Sequence, residues 1–312
     1  MIRIGGYQSS ASIHTRAMYV AVDAIRQGAG HPPVEFIENV ASGGGKAGDL
    51  LAMVETGAMD IAYFSSSYLT DRVPALGVLD LPFKFTNRST MLAALNGRLG
   101  EMLSDAVRAA TRYDVLGFWD NGLRHISNRS HPIRSPADCA GLTIRTLDSP
   151  MHQRVFAHLG LKPTFIDAAK LKDAVASGSV DAQENPLTNI VNFDVHLHHP
   201  FVSLTGHFFG VALVLVNRSH FEAWPKELQQ SVRQAVSAAT TVQLRLAAEE
   251  DERCLALLAT QGVKILSTTN GLDRRAFVDA MEGLAESLTA NIDSSIMIEF
   301  SKAMTTAQSP PG

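Results

Sequence analysis

Gly141-Leu142-Thr143-Ile144-Arg145, followed two residues later by Asp148-Ser149-Pro150, reads as a short strand that feeds directly into a helix start. Ser before Pro suits that start, because Ser caps and Pro is favoured at the first helical position. A strand that ends where a helix begins is the unit of an α/β fold, and such folds bind ligands outside the carboxyl ends of their strands. Arg145 stands at that end. Its guanidinium is a rigid fork of donors that matches both oxygens of a carboxylate.

Working outward, the same alternation recurs on both sides. Upstream, strands are expected over 2–7, 34–40 and 60–64, with helices over 14–27 and 47–55. A single helix is expected over 88–110, because Met91, Leu92, Leu95, Leu99, Leu103 and Val107 share one stripe, and a strand over 114–119. Asn121-Gly122 reads as a turn, after which Arg124 lies in an apolar and polar alternation. Downstream come a helix over 150–159, a strand over 164–166, a helix over 168–177, a turn at Glu184-Asn185-Pro186 and an apolar strand over 208–216. The chain thus leaves a first set of elements near Asn121 and returns through the apolar strand. Two crossings make a hinge between lobes. The division expected is 1–122 with 210–250 for lobe I and 123–209 with 251–312 for lobe II. Residues 226–262 lack internal Gly or Pro and would form a helix of roughly 50 Å, long enough to buttress both lobes.

Composition narrows the function. The 312 residues are 46% hydrophobic and 19% charged with 23 glycines, enough apolar material for two cores. A net charge of -4 without a Lys/Arg run gives no footprint for nucleic acid or an anionic membrane, so any anion site is local. Cys139 and Cys254 are too far apart in sequence for a metal-binding pair or a disulfide scaffold and read as structural. No 18-residue apolar stretch exists to span a membrane. The chain opens strand-like at Met1-Ile2-Arg3-Ile4 without a secretory signal, which implies either a cytoplasmic protein or one whose signal has been removed. The tail 309–312, Ser-Pro-Pro-Gly, is expected to be disordered.

Motifs for other chemistries fail on inspection. Gly43-Gly44-Gly45-Lys46-Ala47-Gly48 formally fits a dinucleotide fingerprint, yet no acidic residue ends the next strand, which runs into Ser65-Ser66-Ser67. It is no Walker loop either, since Ala47 and Val40 replace its Ser/Thr and first Gly; a tight turn beside a cleft is the simpler reading. The histidines of Asp194-Val195-His196-Leu197-His198-His199 would splay to opposite faces of an extended segment, so surface or interlobe roles are expected rather than a metal. Gly-x-Ser-x-Gly and His-Glu-x-x-His are both absent. No cofactor, metal or catalytic residue is expected. Asn185 could cap the helix that Pro186 begins, face a ligand, or do both.

Four linked segments resemble one family: Asn121-Gly122-x-Arg124-His125-Ile126-Ser127-Asn128, Pro132-Ile133-x-Ser135-Pro136-x-Asp138, Gly141-Leu142-x-Ile144-Arg145 and Val180-Asp181-Ala182-Gln183-Glu184-Asn185-Pro186. Their order and spacing are similar to the DctP-type solute-binding subunit of TRAP (tripartite ATP-independent periplasmic) transporters. The resemblance implies a two-lobed periplasmic-binding-protein-like α/β fold with a hinge and a long helix bridging both lobes. It implies capture of an organic acid, delivery to TRAP membrane permease subunits, and a periplasmic home reached by a signal peptide. It also implies Arg145 as the carboxylate clamp, Arg124 as an assisting arginine and Asn185 as the amide that completes the grip. Ser65, Tyr68, Tyr7, Gln8, Trp119 and Phe209 are the remaining candidates for the ligand wall, with a core role for Trp119 and Phe209 equally open. Phe64-Ser65-Ser66-Ser67-Tyr68 lacks the charged groups of sugar-acid-binding relatives, which points to a small or aromatic monocarboxylate. Two other classes stay in view: an α/β enzyme acting on a small carboxylate, and the binding subunit of an ATP-driven importer.

Overall fold

Two long antiparallel strands organise the computed structural model, which describes residues 1–30, 32–85 and 88–306. Strands β1 (Ile2–Gly5), β2 (Val34–Ile37) and β3 (Ile61–Ser65) precede the first crossing, β4 (Tyr113–Asn128). Then come β5 (Thr143–Thr146), β6 (Lys162–Phe165) and β7 (Ala182–Pro186), the return crossing β8 (Phe201–Asn217), and β9 (Lys264–Leu266). The helices are α1 (Ile13–Gln27), α2 (Asp49–Thr56), α3 (Arg88–Leu95), α4 (Arg98–Ala110), α5 (Pro150–His158), α6 (Leu171–Ser177) and α7 (Leu187–Asn192). They continue with α8 (Arg218–Ala223), α9 (Lys226–Thr260), α10 (Arg274–Ala280), α11 (Ala285–Thr289) and α12 (Ser294–Thr306).

The strands form one path, β2-β1-β3-β8-β4-β7-β5-β6, with β9 paired to β8. β1 is parallel to β2 and β3, and β5 to β6 and β7, whereas β4 and β8 run antiparallel through the middle and belong to both halves. Leu213 to Val216 of β8 are fully buried, which is why that run has no polar alternation. One large core lies under β1, β3 and β8, and a second, containing Leu171, Val175, Ile190, Val202 and Leu258, lies beside β7.

Four local expectations change. Asn121-Gly122 is not a turn: β4 continues through it as a bulge against Gly210, with Gly122 at φ 88°. The backbone N–H and C=O that the bulge leaves at Asp120 are paired by the buried Gln243 side chain of α9, at 2.9 and 2.6 Å. Glu184-Asn185-Pro186 is likewise strand, the end of β7, with Pro186 then capping α7. The single helix expected over 88–110 breaks at Asn96-Gly97, and Gly100 packs so close to the Leu95 carbonyl that a Cβ there would lie 1.8 Å from it. The histidine run is a 3₁₀ turn over Val195–Leu197 rather than extended, and it buries His199 against Ser127.

The long helix spans 35 residues and touches elements of both halves. Its Leu246 and Ala247 pack on Ile13 of α1, while Cys254 and Leu258 enter the core beside β7. The helix α12, grouped by sequence with lobe II, packs instead on α3 and α4, with Phe300 edge-on to Phe85 at 5.3 Å. The tail 309–312 lies outside the described residues. No helix among them is long and apolar enough to cross a membrane.

Candidate functional site

Arg124 and Arg145 reach the same place by different routes. Arg124 is on β4 opposite Pro186 of β7, and Arg145 is on β5, paired with Gln183. Both are almost wholly buried. Their electrostatic partners differ sharply.

Arg124 is already matched. Its Nε and Nη2 donate to the two Glu184 carboxylate oxygens at 2.5 and 2.7 Å, and Nη2 also reaches the Glu184 carbonyl at 3.0 Å. Burial alone would raise the Glu184 carboxyl, but Arg124, with help from His152 and His207, holds it well below the usual range. Behind it, His152 lies 3.3 Å from Asp80, whose carboxylate accepts from Ser67 at 2.8 Å. Burial works against charge on His152, yet Asp80 and then Glu184 outweigh it and raise its affinity for a proton. His207 lies 3.3 Å from Glu184; there burial dominates and favours the neutral ring.

Arg145 has no such match. Its Nε donates to the Ile166 carbonyl at 2.7 Å, while Nη2 is buried without a hydrogen-bond partner and no Asp or Glu among the described residues pairs with it. A guanidinium in that state is costly unless an anion joins it. Tyr68 beside it has its phenol pushed up by burial, opposed by the Arg145 charge.

A narrow cavity of about 20 Å³ opens where these groups converge, lined by Tyr7, Ser65, Tyr68, Asn121, Arg124, Arg145, Leu147, Ala168, Asn185, Asn189 and Phe193. Its walls come from the carboxyl ends of β3, β5 and β7 and from the β4 bulge, the position that α/β sheets offer to ligands. Ser65 Oγ and Asn121 Oδ1 are buried there without hydrogen-bond partners. The amides form a chain: Gln8 donates to Asn189 at 3.5 Å, Asn189 to Asn185 at 3.3 Å, and Asn185 to Gln183 at 2.6 Å.

Six of the nine sequence candidates, Arg145, Asn185, Arg124, Ser65, Tyr68 and Tyr7, therefore share one cavity. Three do not reach it. Trp119 turns away from the cavity: its Nε1 donates to Thr240 of α9 at 2.8 Å and its ring faces Tyr63 and His14. Phe209 packs near Phe85 in the core, and Gln8 stands one hydrogen bond behind Asn189. Asn121, Asn189, Leu147, Ala168 and Phe193 were missed. Asn189 carried a usable signal, since it stands in the first turn of the helix that follows directly after Asn185-Pro186. Asn121 sat beside the glycine of a motif read as a turn, and Phe193 gave none.

A family model described as DctP, a bacterial extracellular solute-binding protein of family 7, matches residues 27–291. The chain belongs to the DctP family. Among curated relatives, the 2,3-diketo-L-gulonate-binding periplasmic protein of Escherichia coli K12 is 30% identical over 237 residues, 76% of this chain and 71% of the relative. The sugar acid binding protein DctPAm of Advenella mimigardefordensis, solved with galactonate, superposes with a TM-score of 0.92 at 25% identity, covering 98% of each chain. A TRAP periplasmic solute-binding protein of Sulfurospirillum deleyianum, solved with succinate, gives 0.88 at 25% identity, covering 97% of this chain and 98% of that one. The fold is the two-lobed fold of these DctP proteins, with β4 and β8 as crossings and α9 as the bridging helix. The family and these neighbours are binding proteins rather than enzymes.

Proposed function

We propose that this DctP protein captures a short monocarboxylate between its lobes, outside the cytoplasmic membrane, and presents it to the permease subunits of a TRAP transporter. The observation that carries the reading is the unmatched Arg145 guanidinium facing the cavity. Arg124 is compensated by Glu184, and His152 by Asp80, so Arg145 contributes one surplus positive charge and calls for one carboxylate. A second carboxylate on the ligand would find no free cation among the described cavity residues.

The rest of the wall supports a polar substituent. Ser65 Oγ and Asn121 Oδ1 without partners, with Asn185 and Asn189 nearby, suit a hydroxyl or keto group next to the carboxylate. The cavity is narrow, far below the size of most ligand sites, so the closed cleft leaves little room beside Arg145 and favours a short acid over long sugar acids. On this reading Asn185 and Asn189 orient the acid, while Arg124 fixes Asn185, to which it donates at 3.4 Å. The lobes divide at the Gly122 and Gly210 crossing, with α12 on the first lobe.

Melting curves with pyruvate, lactate, D-erythronate, succinate and galactonate, each at millimolar concentration, test the class. The short hydroxy or keto monocarboxylates are expected to raise the melting temperature most, because ligand bound only to the folded state adds stability. A larger rise with succinate than with any monocarboxylate would overturn the charge argument.

A further inference from the structure

The glycine-rich loop between β2 and α2 touches the other lobe. Asp167, just beyond β6, accepts the backbone N–H of Ala47 at 3.0 Å and of Gly48 at 3.3 Å. β2 and β6 are the two ends of the eight-strand path, and at the usual strand spacing seven steps of a flat sheet would separate them by roughly 34 Å. The loops that follow these edge strands nonetheless meet through one carboxylate. Only a cleft closed over its cavity brings them together, and Ala168, next to Asp167, lines that cavity.

We propose that Asp167 is an interlobe latch, a positioning residue that holds the rim of the second lobe on the Ala47 and Gly48 amides and so sets how long the cleft retains its acid. Retention rests on the function proposed above; the latch itself does not. Charge-assisted hydrogen bonds to backbone donors are the stronger kind, and these two exist only in the closed arrangement. They bias the open and closed equilibrium without touching the ligand. Gly44 takes φ 96° in the turn, which sets the path of the loop toward Asp167. Among the described residues no other acceptor takes the Gly48 N–H.

Asp167→Asn separates the latch from local structure. Asp167 Oδ1 also accepts the Ala169 N–H at 2.9 Å, a cap that the asparagine carbonyl retains, while its amide replaces the acceptor that faces Gly48. Gly48→Pro removes the same donor from the opposite side, and the Gly48 φ of −62° already suits proline. In the ligand-free chain, residue-resolved amide exchange should be faster at Gly48 in Asp167→Asn, and at Ala47 in Gly48→Pro, than in the unaltered protein. Equal exchange in both variants overturns the latch. With whichever of pyruvate, lactate or D-erythronate binds the unaltered chain, release from Asp167→Asn should be about 10-fold faster. Unchanged release overturns its control of retention. Should none of the three bind while exchange still differs, the latch stands and the ligand assignment fails.

Discussion

The Arg124 guanidinium and the Glu184 carboxylate meet through two hydrogen bonds, of 2.5 and 2.7 Å, with both side chains out of solvent. That pair compensates one of two buried arginines, and on the proposed function the other, Arg145, is the one that meets the ligand. Glu184→Gln would leave Arg124 uncompensated, and breaking a buried pair from one side costs about 3 to 5 kcal/mol. Urea unfolding of the ligand-free chain should show a loss of that order. A loss below about 1 kcal/mol, the range of exposed pairs, would contradict the scaffold role.

Trp119 offers the opposite test, because its indole serves packing and one hydrogen bond to Thr240. Trp119→Phe should lower stability by about 1 kcal/mol while leaving affinity for the bound acid within about twofold. Calorimetric titration beside a melting curve separates the two effects. A marked change in affinity at unchanged stability would return Trp119 to the ligand wall.

Acid should weaken the fold through histidines that burial keeps neutral. His14 is lowered to about 3 by desolvation, and neither of its ring nitrogens has a hydrogen-bond partner. Its unfolded value is near 6.5, so between pH 6.5 and 3 the unfolded chain holds a proton that the folded chain lacks. Stability from this site is complete above pH 6.5 and falls as pH drops through that window, by about 2 kcal/mol at pH 5. His14→Phe, which keeps a ring against Tyr63, should flatten the decline measured by urea unfolding at pH 7 and pH 5. An unchanged slope would mean that His14 does not carry it.

How much of this was legible in sequence follows from what each residue depends on. Arg145 could be placed because a strand ending in Arg before Ser-Pro is local information. Helix α1 was legible from its apolar period, and the length of α9 from the absence of Gly and Pro. The Asn121-Gly122 bulge was not, since the same dipeptide serves a turn or a bulge, and the choice is made by Gly210 and Gln243 far along the chain. Glu184 as the partner of Arg124 was hidden for the same reason, as was the partnership of Asp167 with the glycine loop, 119 and 120 positions away. Sequence placed Arg145 near the end of β5; the charges on either side of the cleft were matched only by folding.

The central claim is that Arg145 alone supplies the unmatched charge for the bound acid. It is tested most directly by Arg145→Ala, with affinity measured calorimetrically for the short monocarboxylate that most stabilises the unaltered chain. The account predicts that affinity falls by about 100-fold or more while the ligand-free melting temperature stays level or rises, because a buried cation without a partner is removed. Binding that survives Arg145→Ala within about threefold, in a chain that still folds, would contradict it.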